Sequence, residues 1–161
     1  MIRLTTPTAG APRSQFGGNR AQGQGARLRA VNRLLDKYYV AAASAGWESY
    51  FGLFADAAVF LGTDVSERWS KAEFQDYAAD SSGWEYAARE CNIELSADGD
   101  SAWFDEILDS ASYGTSRCTG VLVRTPSGWK RIHHHLTFSI PNALAGEITD
   151  RIKRHSAGRP N

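Results

Sequence analysis

The stretch TSRCTGVLVRTPSGWKRIHHHLTFSIP, Thr115–Pro141, decides the fold. Two runs of alternating character, Thr115–Thr125 and Trp129–Ile140, flank TPSG at Thr125–Gly128. A Pro-Ser-Gly turn between two period-two runs predicts an antiparallel hairpin, with Gly128 free to adopt a left-handed conformation. Pro141 cannot donate to a strand ladder and ends the sheet. Upstream, Trp84–Cys91, Ile93–Ser96 and Ser101–Asp109 also alternate, and ADGD at Ala97–Asp100 is a hairpin signal. Before Trp84 the period changes. Leu28, Val31, Leu35, Tyr38 and Ala42 recur at helical spacing, as do Trp47, Tyr50, Phe51 and Phe54. AVFLG at Ala58–Gly62 reads as a short strand. Ser70 with Glu73 forms a capping box, opening a third helix with Phe74, Tyr77 and Ala78, stopped at Gly83. Helices followed by an antiparallel meander predict an α+β fold.

Residues 1–26 are rich in Gly, Pro, Ser, Thr, Gln and Arg and hold little to bury, so a flexible leader is expected there. Residues 27–142 form the domain, and 143–161 a C-terminal helix or basic tail. A chain of 161 residues suits one domain with one core. Formal net charge is zero, which argues against nucleic acid or an acidic membrane surface as partner. No apolar run approaches the ~20 residues of a membrane span. The first residues lack the hydrophobic core of a signal peptide. With only Cys91 and Cys118 there is no disulfide framework, and a cytoplasmic protein with reduced thiols is expected.

The order and spacing of YYVAAASAGWESYFGLFADAAVFLGTD (from Tyr38), ERW (from Glu67), DSAWFDEILD (from Asp100), YGTSRCTGVLVRTPSGWK (from Tyr113) and HLTFSIPN (from His135) resemble the SnoaL-like branch of the nuclear transport factor 2-like, or ketosteroid isomerase-like, superfamily. The resemblance covers about residues 28–142. It implies a cone-shaped curved antiparallel sheet wrapped around N-terminal helices, with one pocket at the wide end. Such folds host isomerases, dehydratases, cyclases, transport adaptors and oligomerisation domains, so function has to come from the site. Ketosteroid isomerase chemistry needs a carboxylate base and an oxyanion hole of a Tyr and a protonated Asp. Tyr39 lies in a matching stretch, but Gly62 falls at the base position and Thr119 or Gly120 at that of the acid. Two of the three groups are missing, which excludes that reaction. Asp64 substitutes as base only if its loop turns it inward.

Strand parity selects the remaining candidates, because alternate residues share a face. A three-residue loop Pro126–Gly128 sets Thr119 opposite His135 and Arg117 opposite Thr137. A symmetric loop at Ser110–Tyr113 sets Arg117 opposite Glu106. One face then collects Glu106, Arg117, Thr119, His133 and His135, a polar set suited to a pocket floor. The other collects Trp103, Ile107, Leu122, Ile132, Leu136 and Phe138, an apolar face suited to a homodimer through the outer sheet surface. His134 falls on the apolar side. One residue of slip would exchange the faces.

The expected function is that of a small-molecule pocket protein for a mostly apolar organic ligand. In one reading it performs cofactor-free acid–base chemistry, an isomerisation, dehydration or cyclisation. His135 or His133 exchanges the proton, Glu106 orients it, and Arg117 with Tyr39 holds an oxyanion or carboxylate. Thr119, Asp64 and Trp69 complete the ligand contacts. In the other reading the chain is a non-enzymatic ligand-binding or oligomerisation module. No cofactor is expected. His133-x-His135 lacks a further ligand spacing that would support a metal.

Overall fold

A computed structural model describes residues 17–157. In chain order it contains α1 (Gly17–Ala43), α2 (Trp47–Gly52), β1 (Phe54–Leu61), β2 (Arg68–Ser70), α3 (Lys71–Ala79), β3 (Ala87–Leu95), β4 (Ser101–Ser110), β5 (Gly114–Thr125), β6 (Gly128–Phe138), a 3₁₀ turn (Asn142–Leu144) and α4 (Ala145–Ala157). Helix α1 begins well upstream of the expected boundary at Ala26, so part of the expected flexible leader is helical. Residues 1–16 lie outside the described residues. Extending a helix already nucleated over 27–43 costs less than starting one. No described helix is long and apolar enough to cross a membrane.

The architecture is α+β. A six-stranded curved, unclosed sheet in the order β2-β1-β6-β5-β4-β3 packs against α1. The meander β3–β6 is antiparallel, as expected, but β1 joins β6 in parallel, so the sheet is mixed. Phe54 belongs to β1 instead of ending the second helix. The two strands expected between Trp84 and Ser96 form one, β3, with an irregular register between Ala88 and Glu90. The capping box at α3 is present: the Glu73 N–H donates to Ser70 Oγ at 3.3 Å, and the Ser70 N–H to Glu73 Oε2 at 2.7 Å.

Two register details decide which side chains point inward. The β5–β6 loop is two residues long, since Thr125 pairs with Gly128. A bulge in β6 at Ile132 then restores the pairing that a three-residue loop would give, Thr119 with His135 and Arg117 with Thr137. Upstream of the bulge Arg131 faces inward, and downstream His134 does too. The β4–β5 turn differs by one residue from expectation. Ser110 pairs with Gly114, so Arg117 lies opposite Ile107 and Glu106 opposite Cys118.

The inner face therefore carries Phe104, Glu106, Leu108, Cys118, Leu122 and His134, packed beneath Val31, Leu35 and Tyr38 of α1. Arg117, Thr119, His133 and His135 point outward with Trp103 and Ile107. The expected polar pocket face and apolar partner face are thus both redistributed. Leu122 and Leu136 pack in the core, because the helices must be covered by the apolar side of the sheet. Gly120 lies in this inner row. A Cβ there would stand 2.6 Å from the Phe104 ring and 2.7 Å from the His133 carbonyl oxygen. Gly120→Ala should therefore cost about 1–3 kcal/mol through overpacking, read as a lower urea midpoint at unchanged slope.

Candidate functional site

The pocket floor is built where α1 and α2 meet the inner face of β6. A cavity of about 250 Å³ lies there. Its floor is Tyr38, Tyr50, Phe60 and His134. Trp69, Phe74, Tyr77 and Trp84 form one wall, and Tyr113, Phe138 and Glu67 stand at the rim. The spacing that made α1 and α2 amphipathic delivers Tyr38 and Tyr50, and the β6 bulge delivers His134. An aromatic cavity with a few polar groups is the ordinary form of a small-molecule site.

His134 is buried, with its ring centroid 5.8 Å from that of Tyr38 and 5.9 Å from that of Phe60. Burial, and then the positive charge of Arg131, hold its pKa well below the usual value of 6.5, so the imidazole is neutral at neutral pH. The Tyr50 hydroxyl donates to the Tyr38 hydroxyl at 3.1 Å, which leaves the Tyr38 proton for an acceptor in the cavity. Burial pushes the Tyr38 phenol up to about 12, against the pull of Arg131, so it stays a donor.

Behind this floor lies a charged layer. Arg131 is fully buried, with its guanidinium carbon 4.3 Å from the Tyr38 ring centroid and 4.6 Å from that of Phe104. Stacking between two rings compensates part of the lost hydration. Its Nη2 donates to Cys118 Sγ at 3.1 Å, and Cys118 Sγ is 3.7 Å from His134 Nδ1. Glu106 is buried and accepts from the Tyr39 hydroxyl. Burial raises the Glu106 pKa, opposed by the Tyr39 hydrogen bond and the charge of Arg131.

Of the expected site residues, only Trp69 lines this cavity. Tyr39 and Glu106 are joined to each other behind the floor. His133 and His135 face the outer side of the sheet, where Thr119 stands opposite His135. Arg117 is also outside, 3.4 Å from Asp105, with both side chains nearly half exposed. The expected pairing of Arg117 with Glu106 gives way to this surface pair because of the β4–β5 register. Asp64 caps its own loop, accepting from the Ser66 N–H at 2.9 Å and Ser66 Oγ at 2.6 Å. With His135 and Thr137 it borders a shallow outer recess. Among the described residues no group of three or more His, Cys, Asp or Glu side chains stands together to hold a metal ion.

Four residues of the cavity and of the layer behind it were not among those expected: His134, Tyr38, Arg131 and Glu67. Glu67 bears on the missing base. A Cβ on Gly62 would stand 2.1 Å from Glu67 Oε2, so this carboxylate fills the space that a side chain at position 62 would take. The Asp64 N–H donates to the same oxygen at 3.0 Å. Gly62 and Glu67 lie at the two ends of the single loop between β1 and β2, so the carboxylate folds back onto the glycine. Gly62→Ala should expel the Glu67 carboxylate from this position without unfolding the domain, checked by a crystal structure of the variant beside its urea curve.

The neutral His134 also predicts a pH dependence. The unfolded chain binds a proton at this residue below about pH 6.5 and the folded chain does not. Stability is therefore full above pH 6.5 and declines as the pH falls below it. Subtracting the urea-denaturation profile of His134→Phe from that of the wild type should isolate this slope.

Fold and cavity together define an α+β protein in which a curved, open sheet packs on its N-terminal helices beside an aromatic cavity. The chain belongs to the SnoaL-like domain family, whose model matches residues 31–141. Solved structures share the fold at low identity. One from Burkholderia xenovorans, described as a cystatin-like fold protein, is 16% identical with a TM-score of 0.65, covering 74% of this chain and 97% of its own. A structure from Streptomyces avermitilis, described as a "putative dehydratase from the NTF2-like family", is 17% identical with a TM-score of 0.60, covering 73% and 99%. A "putative scytalone dehydratase" from Novosphingobium aromaticivorans is 10% identical with a TM-score of 0.64, covering 74% and 89%. No curated protein matches the chain.

Proposed function

We propose that this protein binds a small, mostly apolar cyclic molecule in the aromatic cavity and catalyses cofactor-free proton transfer on it. Loss of water from a β-hydroxy ketone is the leading reaction. The observation that carries this reading is the neutral His134 packed near the Tyr38 ring in a cavity that Glu67 also lines. Glu67 removes the proton next to the carbonyl. Tyr38 and His134 face the carbonyl oxygen and stabilise the enolate. The β-hydroxyl then leaves with the proton held by Glu67, giving an enone and water. The aromatic walls lower the local polarity and strengthen these electrostatic contacts. The two fold neighbours described as a "putative dehydratase" and a "putative scytalone dehydratase" lend support.

The test is a panel of one- and two-ring β-hydroxy ketones, with enone formation followed by absorbance and binding by quenching of Trp69 and Trp84 fluorescence. Turnover that falls by ~100-fold or more in Glu67→Gln supports the reading. Turnover that survives this change removes Glu67 as base. Saturable binding of the panel without turnover replaces the enzyme with a ligand-binding module.

A further inference from the structure

We propose that Cys118 is a positioning residue that fixes the tautomer of His134, so that the imidazole meets the substrate as an Nε2–H donor. This rests on the pocket reading above and assigns a role within it that the fold alone does not.

The hydrogen-bond inventory leads to it. A guanidinium has donors only, so at the 3.1 Å contact between Arg131 Nη2 and Cys118 Sγ the sulfur is the acceptor. The Cys118 thiol proton then needs an acceptor of its own. His134 Nδ1 stands 3.7 Å away and the Thr119 carbonyl oxygen 3.9 Å away. The thiol decides between the two states of the histidine. Arg131 already donates to the sulfur, so an Nδ1–H would bring it a second donor and leave the thiol proton only the more distant Thr119 carbonyl, whereas an Nδ1 lone pair accepts that proton at the shorter distance. Lone pair toward sulfur, with S–H donating to it, is the favoured arrangement.

The ring geometry completes it. Cys118 does not line the cavity, whereas His134 does, so the Nδ1 edge faces the buried layer and the Nε2 edge faces the ligand. With Nδ1 unprotonated, a neutral ring carries its proton on Nε2. A neutral imidazole in this state polarises a carbonyl without having to be charged. It also cannot be the base, which leaves proton abstraction to Glu67.

Long-range proton–nitrogen NMR correlation on the intact, substrate-free protein reads the tautomer directly, with His134→Gln identifying the resonance. The wild type should show Nε2 protonated and Nδ1 bare. Cys118→Ala and Cys118→Val, two variants without a thiol that differ in bulk, should move at least half of the population to Nδ1–H. A wild-type ring protonated on Nδ1 overturns the proposal, as does a tautomer unchanged in a folded thiol-free variant. Because no substrate is used, a correct tautomer with an inactive protein would refute the catalytic reading and leave the role of Cys118 standing.

Discussion

Arg131→Ala should lower the unfolding free energy by about 3–5 kcal/mol, measured by urea denaturation. The guanidinium lies between Tyr38 and Phe104, so its loss opens a cavity between two rings that α1 and the sheet both depend on. Glu106 is buried nearby, and the charge of Arg131 is one of the forces that favours its ionised form. Without Arg131 the carboxyl group either stays charged in an apolar layer or takes up a proton, and both cost stability. A loss of this size is a large part of what a domain of this kind has to spare. The double variant Arg131→Met, Glu106→Leu should recover much of it, because a buried charge system replaced whole by apolar groups is often neutral. A single variant as stable as the wild type would show that the layer contributes nothing.

His134→Ala should reduce turnover by ~100-fold or more, since the ring is the only histidine on the cavity floor. His135→Ala and His133→Ala should leave turnover unchanged, because both side chains are on the outer side of the sheet. The three adjacent variants form an internal control: they share sequence context and differ in the face they occupy. Loss of turnover in His135→Ala with survival in His134→Ala would reverse the assignment of faces.

The α+β class, the meander and the third-helix cap were legible in the sequence because each rests on local chemistry. Alternation, the TPSG turn and the Ser70–Glu73 box all act over a few residues. The site was less legible because it depends on register. The Ser110–Tyr113 turn admits two pairings one residue apart, and only packing against Val31 and Leu35 selects between them. The same packing decides which face is inner: covering α1 requires Leu122 and Leu136, and His134 shares their side. Arg131 was hidden for another reason. Regular alternation puts it with His133, and nothing around Ile132 announces the bulge. Nothing local marks Glu67, which lies in a polar loop, and the link to Gly62 shows only in three dimensions, where the carboxylate fills the glycine's empty Cβ position.

The bulge at Ile132 has a consequence for re-engineering. Arg131 and His134 are an odd and an even position that a regular strand would send to opposite sides. The bulge lets one strand read out both on the same side. Residues 131–134 are thus a single indivisible unit, to be left intact in any redesign. Phe138, Tyr113 and Tyr77 at the mouth are each partly exposed and lie outside that unit. A library that varies only those three positions should change which molecules enter while leaving untouched the groups that would act on them.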